Sequence, residues 1–122
     1  LQPAADAGVQ SVLSSVVWRP ATSLNTGFTV QQPIANGTYQ VYLYLLENYR
    51  SNYRSINVRL EGAVVAQGVG NLALGAWQKA GPYSANVTDG NLTIEILNGG
   101  KGDPSLFGFA VMSGTATAPA PT

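Results

Sequence analysis

Apolar and polar residues alternate along most of this chain. In the run 39–45, Tyr39, Val41, Leu43 and Leu45 fall on one side, and Gln40, Tyr42 and Tyr44 on the other. Ile56, Val58 and Leu60 alternate with Asn57 and Arg59, and Leu92, Ile94 and Ile96 with Thr93 and Glu95. A side-chain period of two is that of a strand with one face buried. Shorter stretches suited to strands are 12–18, 28–32, 64–69, 77–79, 83–87 and 106–112. Asn36-Gly37 and Asp89-Gly90 tolerate positive φ at both central positions and so predict hairpins. Glu61-Gly62 is a weaker version, and Asn98-Gly99-Gly100 reads as a Gly-rich break. About eight or nine short strands with regular turn signals predict an all-β fold, an antiparallel, jelly-roll-like β-sandwich. No segment carries a helical apolar stripe, and no internal repeat is visible.

The two ends differ from this middle. Residues 1–8 are rich in Ala, Pro and Gly, and 115–122 reads TATAPAPT. Such strings favour extended, solvated conformations, so both are expected to be linkers around one domain over 9–114. The expected whole is a piece of a larger secreted bacterial protein. At 122 residues the chain fits one domain, large enough to bury a core without disulfides or metals.

Composition narrows the chemistry. Only 10% of residues are charged, so Gly, Ser, Thr, Asn, Gln and Tyr must cover much of the surface. Six basic and six acidic side chains cancel, which argues against a nucleic-acid partner. No apolar run approaches the ~18 residues of a membrane span, and a soluble monomer without cofactor is expected. There is no His and no Cys, so neither the commonest general base nor a thiolate is present. Of the carboxylates, only Glu47 and Asp103 fall where a glycosidase-like pair could form. The chain is therefore expected not to be an enzyme.

Aromatic residues point elsewhere. Sugar rings present apolar C–H faces, and their binders offer flat aromatic platforms beside hydrogen-bonding groups. Trp18 and Arg19 lie where a strand ends in a polar loop. The loop ENYRSNYRS holds Tyr49 and Tyr53 among Asn48, Arg50, Asn52 and Arg54. Trp77 reads as a core or rim residue. Tyr42 and Tyr44 share the outer face of their strand, either as a platform or beneath a packed loop.

Two segments carry a family resemblance: NGTYQVYLYLLENYRSNYRSINVRLEGAVV at 36–65, and GGKGDPSLFGFAVMSGT at 99–115, the latter preceded by VTDGNLTIEIL. The first is a Gly turn, an alternating strand, an acid, an aromatic loop and a second strand ending at a Gly turn. In this order the chain resembles the malectin-like carbohydrate-binding modules, which are β-sandwiches. The resemblance implies that Tyr49 stacks on a sugar and that Asp103 hydrogen-bonds its hydroxyls. The family's usual opening is not recognisable in residues 1–27.

The expectation is thus a non-catalytic polysaccharide-binding module that targets an attached secreted enzyme to its substrate. Its site comprises Trp18, Arg19, Asn48, Tyr49, Arg50, Tyr53 and Asp103. Arg19, Arg50, Arg54 and Lys101 give the site loops a local cationic excess over Glu47 and Asp103. Neutral β-glycans stand ahead of acidic polysaccharides, because Arg50 and Arg54 could pair with those two acids. The rival reading is a structural or adhesive sandwich spacer without sugar affinity, which requires packed loop aromatics.

Overall fold

The alternating segments fold as strands that pair antiparallel throughout. A computed structural model describes Leu1 and residues 3–114; the expected linker at 115–122 lies outside the described residues. In chain order the elements are α1 (Ala7–Val12), β1 (Val17–Trp18), β2 (Gly27–Pro33), β3 (Gly37–Leu46), β4 (Ser55–Leu60), β5 (Ala63–Val69), β6 (Trp77–Val87), β7 (Asn91–Lys101), β8 (Ser105–Leu106) and β9 (Gly108–Ser113). A four-stranded sheet, β2-β7-β4-β5, faces a three-stranded sheet, β6-β3-β9, and β1 pairs with β8 at one end. The fold is a β-sandwich.

The core is the set of residues that the alternation assigns to one face. Val41, Leu43 and Leu45 of β3, with Ala80, Ala85 and Val87 of β6, meet Ile56, Val58 and Leu60 of β4 and Leu92, Ile94 and Ile96 of β7. Each fully buried Leu, Ile or Val contributes about 1.5–3 kcal/mol from the apolar area it removes from water. A second cluster, Leu13, Leu46 and Phe107, gathers Val9, Val16, Tyr44 and Trp77 around it and seats α1 on the sandwich.

Several expectations are corrected. Asn36-Gly37 and Asp89-Gly90 are not hairpins: β2 and β3 lie in different sheets, as do β6 and β7. Both turns cross between the sheets, and they bond to each other, Gly90 N–H donating to Asn36 Oδ1 at 2.7 Å and Ile34 N–H to the Gly90 carbonyl at 3.0 Å. An Asn-Gly pair selects a backbone bend, but the sheet to which the next strand belongs is set by where its apolar face finds cover. The hairpin that does form between consecutive strands β4 and β5 uses the weaker signal, Glu61-Gly62, with φ of 53° and 80°. Those are the two positive φ values that a two-residue hairpin turn of type I′ demands. Glu61 offsets its unfavourable conformation by accepting Thr93 N–H on Oε2 at 2.6 Å.

The expected strand over 12–18 survives only as Val17–Trp18. Upstream, the Asp6 side chain accepts Val9 N–H at 2.9 Å and caps α1, so Ala7 and Gly8 of the expected N-terminal linker are helical. The separate strands at 77–79 and 83–87 are one strand, β6, whose register against β3 shifts between Val41 and Leu43. Gly81-Pro82 is accommodated there because β6 is an edge strand and needs no donor at proline on its open side. The expected strand over 106–112 is interrupted at Phe107, whose ring enters the second cluster.

The Gly-rich break at 98–100 lies inside β7. Gly99 is required because the chain of β4 approaches closely: a Cβ there would stand 2.7 Å from Asn57 Oδ1 and 2.9 Å from the Ser55 carbonyl oxygen. Gly99→Ala is therefore expected to destabilise the protein by about 1–3 kcal/mol, the usual cost of forcing atoms into a packed site. Urea denaturation checks this, and an unchanged midpoint would contradict the β4–β7 pairing at this end.

Candidate functional site

The loop between β3 and β4 is organised around a buried ion pair. Glu47 is fully buried and Arg54 is 7% exposed. Arg54 Nε donates to Glu47 Oε1 at 3.1 Å and Nη2 to Oε2 at 3.3 Å, a two-pronged contact. The same carboxylate accepts the backbone N–H groups of Tyr49 at 3.0 Å and Arg50 at 3.4 Å, which folds the loop back over the acid. Charge-assisted bonds of this geometry are the strong ones, and here they are made away from water. The remaining partners come from the segment before β6: Gly75 N–H donates to the Glu47 carbonyl at 2.8 Å, and Asn52 N–H to that of Leu72 at 2.8 Å.

Two neighbouring loops are tied to this pair. Arg54 Nη1 donates to the Asp103 carbonyl at 2.6 Å, fixing the segment between β7 and β8. The Asp103 carboxylate in turn accepts Ala21 N–H at 3.1 Å, and Asn98 Nδ2 donates to the carbonyls of Ala21 at 2.6 Å and Gly102 at 2.8 Å. Register does the rest, because β1 pairs Trp18 with Ser105. Residues far apart in sequence thereby meet.

They enclose a cleft of about 460 Å³ lined by Val16, Trp18, Asn48, Tyr49, Tyr53, Arg54, Asp103 and Ser105. That volume lies in the range of small-molecule sites. Three of the eight lining residues are aromatic, and of these Trp18 and Tyr49 remain 56% and 55% exposed. The rings of Tyr49 and Tyr53 meet edge to face at 4.9 Å. Arg50 carries its guanidinium 4.6 Å from the Tyr49 ring centre and donates to the Tyr49 hydroxyl at 2.8 Å. Trp18 is the ring with its surface most open to a ligand, whereas one aspect of Tyr49 already bears a guanidinium.

Of the seven residues read from sequence, Trp18, Asn48, Tyr49, Tyr53 and Asp103 line the cleft. Arg19 and Arg50 do not; they stand beside it, Arg19 N–H donating to the Pro104 carbonyl at 3.3 Å. Val16, Arg54 and Ser105 also line it and were not among the seven. No pattern in ENYRSNYR distinguishes the arginine that turns inward from the one that turns out. Glu47 is no accessible acid or base, since Arg54 and two backbone N–H groups enclose it. Trp77 donates its indole N–H to the Pro3 carbonyl and packs in the second cluster. Tyr44 packs there too, and the Lys79 ammonium lies 4.4 Å from the centre of the Tyr42 ring, so neither tyrosine forms a bare platform. Among the described residues, no three acidic side chains converge as metal ligands, and no helix is long and apolar enough to cross a membrane.

No protein-family model matches the sequence, and no curated protein matches it. Among solved structures, the chain is similar to part of a calcium-binding mutant of β-glucuronidase 2 from Bacteroides uniformis, with a TM-score of 0.63 and 14% identity. The match covers 75% of this chain and 11% of that one. At this identity the likeness bears on the fold alone, an antiparallel β-sandwich.

Removing one member of the buried pair leaves the other charged and unsolvated. Arg54→Met is expected to cost about 3–5 kcal/mol of stability, whereas Tyr49→Ala, at an exposed position, should stay within about 0.5 kcal/mol. Chemical denaturation of both variants checks this. Equal losses would mean that the loop is held by its aromatic rings and not by the ion pair.

Proposed function

We propose that this chain is a non-catalytic carbohydrate-binding β-sandwich module that acts outside the cell and holds an attached enzyme against a polysaccharide. The observation that carries this reading is the cleft, where exposed Trp18 and Tyr49 flank Asn48, Asp103 and Ser105. An apolar sugar face can stack on Trp18 and along the open aspect of Tyr49. The Asn48 amide, the Ser105 hydroxyl and the Asp103 carboxylate supply donors and acceptors for ring hydroxyls. The resemblance of 36–65 and 99–115 to malectin-like modules agrees with these roles for Tyr49 and Asp103. So does the similarity of the fold to part of a β-glucuronidase.

A spacer role requires packed loop aromatics, and more than half the surface of Trp18 and Tyr49 is exposed. A hydrolase requires a second accessible carboxylate, and Glu47, the partner the sequence left open for Asp103, is sealed by Arg54. Tethering raises the effective concentration of substrate around a linked catalytic domain without any new contact at its active site.

Affinity electrophoresis of the isolated domain against a polysaccharide panel tests the proposal. Retardation by at least one polymer is expected, with no new reducing ends in that polymer after prolonged incubation. Trp18→Ala should weaken binding by about 1–3 kcal/mol, as truncation of a contact aromatic does, while leaving the melting temperature unchanged. Unaltered retardation of Trp18→Ala would move the site away from this cleft.

A further inference from the structure

The twelve charged side chains cancel in number, yet they are separated along the strands. Glu61, in the turn after β4, and Asp89, before β7, stand together at the end remote from the cleft, where Glu61 accepts the N–H of Thr93. Among the described residues neither is in an ion pair, and Arg59, two residues from Glu61, is paired with Glu95 between neighbouring strands at 3.2 Å. At the cleft end stand Arg19, Arg50, Arg54 and Lys101 against Glu47 and Asp103; Asp6, which caps α1, and Lys79, beside Tyr42 and Tyr44, add one charge of each sign and leave that excess unchanged. β4, which joins the two ends, has six residues. At about 3.3 Å per residue it spans roughly 20 Å, about twice the screening length of ~10 Å at 0.1 M salt. The remote carboxylates therefore do not neutralise the cleft end.

Within that end, Arg54 is wholly engaged by Glu47 and the Asp103 carbonyl. Lys101 Nζ donates to the Asn52 carbonyl at 2.9 Å. Arg19 and Arg50 differ from these: among the described residues the two ion pairs are Arg54–Glu47 and Arg59–Glu95, so neither rim arginine has a carboxylate partner. Each follows one of the two exposed cleft aromatics directly in sequence, Arg19 after Trp18 and Arg50 after Tyr49. Arg50 is also held in place by its stack on Tyr49 and its bond to the Tyr49 hydroxyl. Of its five N–H donors that bond uses one, so a planar fork matched to two oxygens of an anion stays available at the rim. Holding the fork on a ring lowers the ordering cost of binding. Arginine stems often merely cover apolar surface. Two exposed arginines without a carboxylate partner, each next in sequence to one of the two exposed rings, in a chain with only four arginines, call for more than that.

We infer that the polysaccharide is anionic. This rests on the carbohydrate-binding reading of the cleft. A neutral unit occupies the cleft, where the Asp103 carboxylate accepts its hydroxyls and disfavours a negative group. An adjacent unit bearing carboxylate or sulfate lies on the rim against Arg50, with Arg19 on the Trp18 side. The sequence alone put neutral glycans first because Arg50 could pair with an acid; in the structure Arg54 takes Glu47 and Arg50 is left unpaired.

The test uses the isolated domain in affinity gels containing polygalacturonate, alginate or carrageenan. Each is run beside its carboxyl-reduced or desulfated counterpart, and neutral laminarin and xylan are included. Retardation by at least one anionic polymer is expected, falling at least tenfold when its carboxylates are reduced or its sulfates removed; which treatment acts identifies the anion. Raising salt from 20 mM to 500 mM should weaken it at least tenfold, and Arg50→Gln combined with Arg19→Gln should remove most of that salt dependence. Trp18→Ala should weaken binding at least fivefold as well, which a diffuse attraction to polyanions would not require. Equal retardation by a polymer and its neutralised counterpart, or retention unaffected by salt, overturns the inference while leaving the cleft as a sugar site. Anion binding undiminished in Trp18→Ala overturns it as well. No retardation by any polymer, charged or neutral, overturns both.

Discussion

The carboxylate of Glu47 organises the end of the sandwich that carries the cleft. It lies beyond the last residue of β3, where the chain leaves the sheet, and it is fully buried. A buried anion is tolerable only if every lone pair finds a donor. That requirement draws in two backbone N–H groups and the guanidinium of Arg54, and the guanidinium in turn reaches the Asp103 carbonyl. Asp103 then holds Ala21. Three loops that the sandwich alone would leave independent become one unit. The exposed aromatics are positioned by that unit without having to pack.

This arrangement separates stability from recognition. The apolar core lies between the sheets, in residues such as Val41, Val58, Ile94 and Ile96, none of which reaches the cleft. The buried pair fixes loop geometry, and Trp18, Asn48, Tyr49 and Tyr53 stand on it with their polar and aromatic surfaces outward. A change in the ring or amide that meets a ligand therefore touches little of the fold. Among the charged residues the same division holds: Glu47, Arg54, Arg59 and Glu95 are engaged internally, and Arg19 and Arg50 face outward.

Much of the fold was legible in the sequence because the period of two is a local signal. It located β3, β4 and β7 and named their buried faces. Strand partners were less legible, since Asn36-Gly37 and Asp89-Gly90 encode a bend and not a destination. Gly99 reads as a turn residue until the neighbouring strand is present to show why a side chain cannot fit. The helix α1 escaped because its one strong signal is the Asp6 cap, and its apolar contacts, through Val9 and Leu13, depend on Phe107 and Leu46 from the far half of the chain. In the cleft, residue types were readable and pairings were not. Glu47 and Arg54 are seven residues apart in a loop, where no helical or strand period forecasts contact, so the sequence offered Arg50 and Arg54 together as partners for Glu47 and Asp103 without singling out Arg54 as the internal brace.

A ligand that stacks on Trp18 can be followed against a control within the same chain. Its two indole N–H groups differ: that of Trp18 belongs to a ring 56% exposed in the cleft, and that of Trp77 is bonded to the Pro3 carbonyl in a packed cluster. In a proton–nitrogen correlation spectrum each gives one signal. Titration with neutral and uronate-containing oligosaccharides should shift the Trp18 indole signal, along with the amides of Asn48, Tyr49, Tyr53, Asp103 and Ser105, and leave the Trp77 signal in place. Saturable shifts confined to Trp77 or to the sheet face around Tyr42 and Lys79, with the Trp18 signal unmoved, would contradict it.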